Sequence, residues 1–544
     1  MSFKPWKQPL LAALALVAGT TAATAQNIQT AQRDIEVGRY NAARAALRSA
    51  SSPEAAFELG RLYQFRDMPD SAAFFFNKAA GATPFGQVAA GRALLAKGQV
   101  APAEAQFDAA AKATKSRDAK VLTMIAQAYG EADTKDTGKA QTYLASAQTL
   151  LKKDDPALMV ARGDIFLHSD QGGGEAMTSF DRAIAANPSY AQAYFKKGQL
   201  NVRSRNFNAA REALSKAIEL DPSYAPAYRE LADMYYYAGQ YDLASSTFQK
   251  YLGLAERTTS TDAQNASFLY LTKKYSESLT EVNKVLANDP KNLTMNRIKP
   301  YLLYETGDFN GAAAAMETYL KVAPKDKIIP EDLSYRDKIL TRTGKGDEAV
   351  AGILDRIKKD PSKACDLQPD LASVYANKKD YRNAAKVYQY MITNCKGDLT
   401  VQFRWATALT GDKQYTRADS VYNIILTAKP TYAPGYLERA RVNNSMDPEG
   451  KKGIAKPFYE KYIELSKVEG ADPAKFKSGV IEANGQLGVY SATANDRPGA
   501  VKYFEQVLAL DPTNKGAQDN IKILQTPVRK AGPKAAPKAP AKKK

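Results

Sequence analysis

Small and apolar residues recur along this chain at helical spacing, in pairs of runs separated by short polar breaks. Between Ala191 and Tyr224 the marks are Tyr194, Gly198, Ala210, Leu214 and Ala217, with Arg203, Ser204, Arg205 and Asn206 forming the break. Spacings of three, four and seven on both sides of a polar turn predict two amphipathic helices joined by a tight connection. Gly198 and Ala210 are expected to face one another, so that the two helices approach closely and Leu214 packs beyond them. Pro222 should end the second helix, because it lacks an N–H and clashes with the turn before it. Asp221 is placed to cap the helix that follows.

The same pattern returns. Ala176, Ala210, Ala244, Ser278 and Ala312 follow one another at 34-residue steps, and Pro188, Pro222, Pro290 and Pro324 keep the phase, with Glu256 where one more proline would fall. A fixed period of this length marks a repeat array. The small residue of the second helix can be followed from Ala43 through Ala72, Ala103, Ala140 and Ala176 to Ala349, Ala384, Ala418, Ala455 and Ala500. With alanine at all but one of these positions, the register is fixed across the chain. One unit shows the marks best, with Leu59, Gly60, Tyr63, Ala72, Phe76, Ala79 and Pro84, and the unit from Cys365 gives Leu371, Ala372, Tyr375, Ala384, Tyr388 and Met391. On these residues the chain resembles the tetratricopeptide repeat (TPR) family. The resemblance implies an all-α fold: a right-handed superhelical solenoid of about 14 helix-turn-helix units over residues 26–526. Inserts at about 442–453 and 468–479, rich in Gly, Pro and charge, are expected to be surface loops. Asn514 to Leu524 is expected to be a capping helix, since a solenoid needs a polar end.

Charge adds a second element. The net charge is +18. Lys4 and Lys7 account for two of these charges and Arg529, Lys530, Lys534, Lys538, Lys542, Lys543 and Lys544 for seven, so the body carries about +9. The basicity is thus concentrated at one end, and a body this mildly basic does not by charge alone indicate a nucleic-acid binder. Residues 1–25 read as a signal peptide: two lysines, an apolar run from Leu10 to Ala18, and Ala23-Thr24-Ala25 as a small-residue cleavage site. The expectation is export to the periplasm or the outer membrane of a bacterium, with cleavage after Ala25. The stretch 527–544, rich in Lys, Pro and Ala, reads as a disordered tail that could tether the protein to an anionic surface.

Little in the chain suggests catalysis. His168 is the single histidine, it has no cysteine near it in sequence, and it falls at the end of a helix. Gly172-Gly173-Gly174 lies between two helices and lacks the Lys-Ser/Thr of a phosphate loop. No enzyme activity, cofactor or metal is expected. Cys365 and Cys395, at the open ends of one predicted hairpin, are a candidate disulfide, given an oxidising compartment. The TPR resemblance further implies that first helices line a concave face. Carried over to matching positions, the partner-binding candidates are Phe57, Arg61, Gln64, Phe195, Gln199, Arg229, Asp233, Tyr236, Tyr237 and Phe403. Units of the family that clamp a C-terminal carboxylate carry Lys and Asn where this chain has Phe57 and Arg61, Val88 and Arg92, so that mode is not expected. The expected function is a non-enzymatic scaffold that binds a peptide or protein of the cell envelope on this face. The alternative is a polymer- or membrane-surface-binding protein acting mainly through its tail.

Overall fold

The structure, a computed structural model, describes residues 26–48, 52–132, 138–169 and 171–526. The expected signal segment and the basic tail lie outside the described residues. Among the described residues every regular element is helical.

Two compact units divide the chain, one up to Thr306 and one from Gly307. The first holds α1 (26–36), then α2 (Tyr40–Arg48), α3 (Pro53–Phe65), α4 (Pro69–Ala79), α5 (Pro84–Ala96), α6 (Val100–Ala113), α7 (Ala119–Gly130), α8 (Gly138–Leu151), α9 (Pro156–Leu167), α10 (Gly173–Ala186), α11 (Ala191–Arg203), α12 (Phe207–Leu220), α13 (Ala225–Tyr237), α14 (Tyr241–Leu254), α15 (Thr259–Leu271), α16 (Tyr275–Asn288) and α17 (Leu293–Glu305). The second holds α18 (Phe309–Val322), α19 (Pro330–Arg342), α20 (Gly346–Lys359), α21 (Ala364–Asn377), α22 (Tyr381–Asn394), α23 (Leu399–Gly411), α24 (Tyr415–Ala428), α25 (Ala433–Met446), α26 (Lys456–Leu465), α27 (Pro473–Thr493), α28 (Arg497–Leu510) and α29 (Lys515–Gln525). From α3 to α16, and again from α19 to α28, each odd-numbered helix packs against the even-numbered helix after it.

Every small residue of the alanine series, from Ala43 to Ala500, is fully buried. Ser278, the exception in type, is buried too, and its hydroxyl donates to the carbonyl of Ala266 at 2.7 Å. A buried hydroxyl is tolerated here because it has an acceptor. The partner position on the first helix is as tight. A Cβ built at Gly163 would stand 2.2 Å from the Phe180 ring, and one at Gly198 would stand 2.6 Å from Leu214.

Hairpin turns are closed by the same backbone device in successive units. In the α11–α12 turn Arg205 takes a left-handed φ of 58°, and Asn206 N–H bonds to Asn201 C=O at 2.9 Å. Lys274 to Leu269 and Asp380 to Tyr375 repeat that bond at 2.9 Å. These are Schellman-type ends, which satisfy the last carbonyls of the first helix.

Three expectations change in detail. Asp221 does not cap α13; it accepts from the backbone N–H and hydroxyl of Ser223 at 3.1 and 2.8 Å, because three residues intervene before the helix starts at Ala225 and Tyr224 takes the cap position. The insert at 442–453 is not a loop throughout: α25 continues to Met446, with Val442 and Asn443 buried. The insert at 468–479 is a loop only in its first half, since α27 begins at Pro473, with Asp472 accepting from Ala474 N–H at 3.0 Å. In both places apolar contacts extend a helix through residues whose local composition favours a turn. At the C-terminal end α29 runs Lys515–Gln525, capped by Asn514, and Ala517 closes over Phe504 and Val507. Cys365 and Cys395 are bonded, with Cα atoms 5.4 Å apart, where the start of α21 meets the end of α22.

Candidate functional site

Inward-facing polar side chains of the first unit's odd-numbered helices form a connected network. On α3, Arg61 lies 3.1 Å from Glu58 and 3.5 Å from Glu131, at the end of α7. Arg92 of α5 reaches the same Glu131 at 2.7 Å. Gln64 donates to the Glu131 backbone carbonyl at 2.8 Å. Burial pushes the Glu131 carboxyl up, but Arg92 and Arg61 outweigh it and hold it below the usual carboxylate range. Burial likewise works against the Arg61 charge, yet Glu131 and Glu58 more than restore it. Buried charges persist only in such pairings. Lys196 of α11 extends the pattern to Asp164 of α9 at 2.9 Å.

This network lines a cavity of about 910 Å³ bounded by α1, α3, α5, α7, α9 and the start of α11. The size lies within the range of ordinary ligand pockets. Glu36 of α1 also faces it. Burial raises its carboxyl pKa, only partly offset by Arg61 and Arg33.

The ten residues nominated from the sequence separate into groups. Phe57 and Arg61 line this cavity, and Gln64 joins them through its bond to the Glu131 backbone carbonyl. Phe57 packs edge-on to Phe76, ring centroids 5.5 Å apart, and beneath the Arg92 guanidinium at 5.3 Å. Phe195 is buried edge-on against Tyr224 at 5.3 Å, so it works between hairpins. Gln199 donates to Glu230 at 3.1 Å, and Asp233 accepts from Gln264 at 2.5 Å. Burial first, and Glu230 beside it, raise the Asp233 carboxyl to about 6, although Arg229 and the Gln264 bond act the other way. Arg229 is exposed and hydrogen-bonds Tyr251. Tyr236 and Tyr237 are exposed by 42% and 59%. Phe403 belongs to the second unit, half-buried between Tyr422 and Tyr432 at 5.7 and 5.8 Å. Glu36, Glu58 and Glu131 were not singled out beforehand. Arg92 was passed over too, although it repeats the unit position of Arg61 one hairpin on, which was a legible signal.

His168 ends α9 and places Nε2 3.2 Å from the Gly130 carbonyl, a bond between adjacent hairpins. Among the described residues no group of His, Cys, Asp and Glu is arranged to hold a metal ion.

A tetratricopeptide repeat family model matches residues 171–225 and 195–260. The C-terminal part of a TPR repeat-containing protein from Cytophaga hutchinsonii is 31% identical, over 48% of this chain and 99% of that one, with a TM-score of 0.41. The chain is a tetratricopeptide repeat protein. PilW, described as a widely conserved type IV pilus biogenesis factor, is 20% identical over 39% of this TPR chain and 96% of its own, TM-score 0.33. YrrB, described as a TPR protein with an unusual peptide-binding site, is 18% identical over 37% and 97%, TM-score 0.30. No curated protein matches. A TPR fold of this kind implies a protein–protein interaction scaffold, and TPR proteins are generally non-catalytic.

Proposed function

We propose that this TPR protein is an exported, non-enzymatic scaffold of the bacterial cell envelope, and that its partner docks on the aromatic surface at the α13–α14 turn. One observation carries the docking site. Tyr236, Tyr237 and Tyr241 stand together at this turn, exposed by 42, 59 and 40%. The three rings touch, Tyr236 lying 5.5 Å from Tyr237 and 6.0 Å from Tyr241. Tyr236 also packs edge-on against the buried Phe268 at 6.1 Å, while Tyr237 projects furthest into solvent. Clustered exposed tyrosines are the surface that protein partners bury, since they give large area at low entropic cost. Export rests on the leader pattern of residues 1–25, and a weak tether to an anionic surface rests on the lysines of the tail.

The test is capture from an envelope extract by the tagged full chain, at low and moderate salt, beside a Tyr236→Ala/Tyr237→Ala variant and a chain ending at 526. The proposal expects a discrete protein that survives tail removal and salt but is lost with the two tyrosines. Material retained by the tyrosine variant and lost with the tail or with salt would overturn the docking surface and leave the tail as the working element. N-terminal sequencing of the cellular protein is expected to begin at Gln26. An intact leader in a cytoplasmic fraction would overturn the export reading.

A further inference from the structure

The N-terminal hairpin does more than begin the array. It reaches across the first unit to residues nearly two hundred positions away. Arg33 of α1 forms an ion pair with Asp221, in the α12–α13 turn, and donates to the Ser223 hydroxyl at 2.9 Å. Val37, just beyond α1, is 1% exposed and shares an apolar cluster with Phe195, Tyr224, Leu231 and Met234 of α11–α13. Glu256, after α14, accepts from the backbone N–H groups of Asn41 and Ala42 at the start of α2. Its own N–H donates to the carbonyl of Gly38 at 3.4 Å.

These contacts explain a break in the sequence period. Glu256 stands where the proline series skips. A proline there would lose both the N–H that meets Gly38 and the carboxylate that meets the first amides of α2. An anion at a helix N-terminus is favourable, because those amides have no partner within the helix.

We infer that α1 and the start of α2 are a built-in occupant of a socket on α11–α14, and that they report the chemistry of the segment this socket takes. That segment carries an arginine four residues before a β-branched apolar residue, followed by the free amides of a new helix. Asp221 and Ser223 take the guanidinium, the Phe195–Tyr224–Leu231–Met234 cluster takes the apolar side chain, and Glu256 takes the helix start. The socket lies apart from the exposed tyrosine surface, being covered in this structure by the chain itself. A partner helix with the same marks would enter by displacing α1, so the N-terminal hairpin sets the threshold for binding. In that respect the inference rests on the scaffold reading: the displacing ligand is a protein segment.

The experiment needs no identified partner. A fluorescent peptide of residues 26–48 is titrated into the full chain and into an opened variant, Arg33→Asp/Val37→Asp. The opened variant is expected to bind the peptide at least about tenfold more tightly than the wild type, because its own segment no longer competes. Adding Asp221→Lys to the opened variant is expected to weaken binding by about tenfold or more, and an Arg33→Asp peptide to recover part of the loss. Equal binding to wild type and opened variant would overturn the inference. So would no binding by an opened variant whose circular dichroism is native. Should that variant not fold, hydrogen exchange on the wild type decides. Amides of α1 protected as well as those of α3, with protection lost in Arg33→Asp and regained in Arg33→Asp/Asp221→Arg, support it, and α1 amides that exchange freely overturn it. None of these readouts involves Tyr236 or Tyr237, so failure of the docking proposal leaves them unchanged.

Discussion

At the scale of single residues, the fold is set by how closely two helices can approach. Gly163 has no room for a Cβ beside the Phe180 ring, whereas other units hold alanine at the matching place, as Ala232 does near Phe248. The helix separation is therefore adjusted unit by unit to the pair in hand. Gly163→Ala is expected to lower stability by about 1–3 kcal/mol through overpacking, read as a fall in the urea midpoint. Alanine's better helix propensity does not offset it. Asp233 gives a pH signature. Its folded-state pKa, raised to about 6, lies above the unfolded value. Its contribution to stability is therefore full below about pH 4 and is lost as the pH rises towards 6. Asp233→Asn keeps an acceptor for Gln264 and removes the charge. It should unfold at higher urea than the wild type at pH 7.5, by on the order of 1 kcal/mol after allowance for solvent screening. The difference should vanish near pH 4. A variant less stable at both pH values would contradict the assignment.

At the scale of elements, much was legible and the limits were physical. The alanine series is local, within one hairpin, so period and spacing located it correctly in every unit. Helix extents at 442–446 and 473–479 were missed because apolar burial by neighbouring hairpins overrode a loop-like composition. Of the nominated binding residues, Phe57 and Arg61 line a cavity, but Phe195 is spent between hairpins, and a repeat position does not distinguish those uses. The Arg33–Asp221 pair had no periodic signature at all, being separated by 188 residues; the missing proline at Glu256 was its one trace. The hairpin α21–α22 is closed at its open end by Cys365–Cys395, 30 residues apart. Replacing both with alanine is expected to lower stability by about 3–4 kcal/mol in the loop-entropy account. The check is a comparison of urea midpoints, with reductant expected to shift the wild type and leave the variant unmoved.

At the scale of the whole molecule, the repeats make up nearly all of the described chain, and function falls to the surfaces they leave open. In the first unit those surfaces are of two kinds. One is a charged interior, where Glu58, Arg61, Arg92 and Glu131 are neutralised by one another and hold the inner helices together. The other is the exposed tyrosine cluster, where Tyr236 leans edge-on against the buried Phe268 at 6.1 Å and Tyr237 is left 59% exposed. Partner binding therefore falls to the second. The most direct test is photo-crosslinking in the native cell, with Tyr237 replaced by a photoreactive phenylalanine analogue and Tyr390, 41% exposed on the second unit, replaced as a control. A discrete protein adduct at position 237 and none at 390 is the predicted result. No adduct at 237, or the same adducts at both positions, would contradict the claim that this surface is where the scaffold meets its partner.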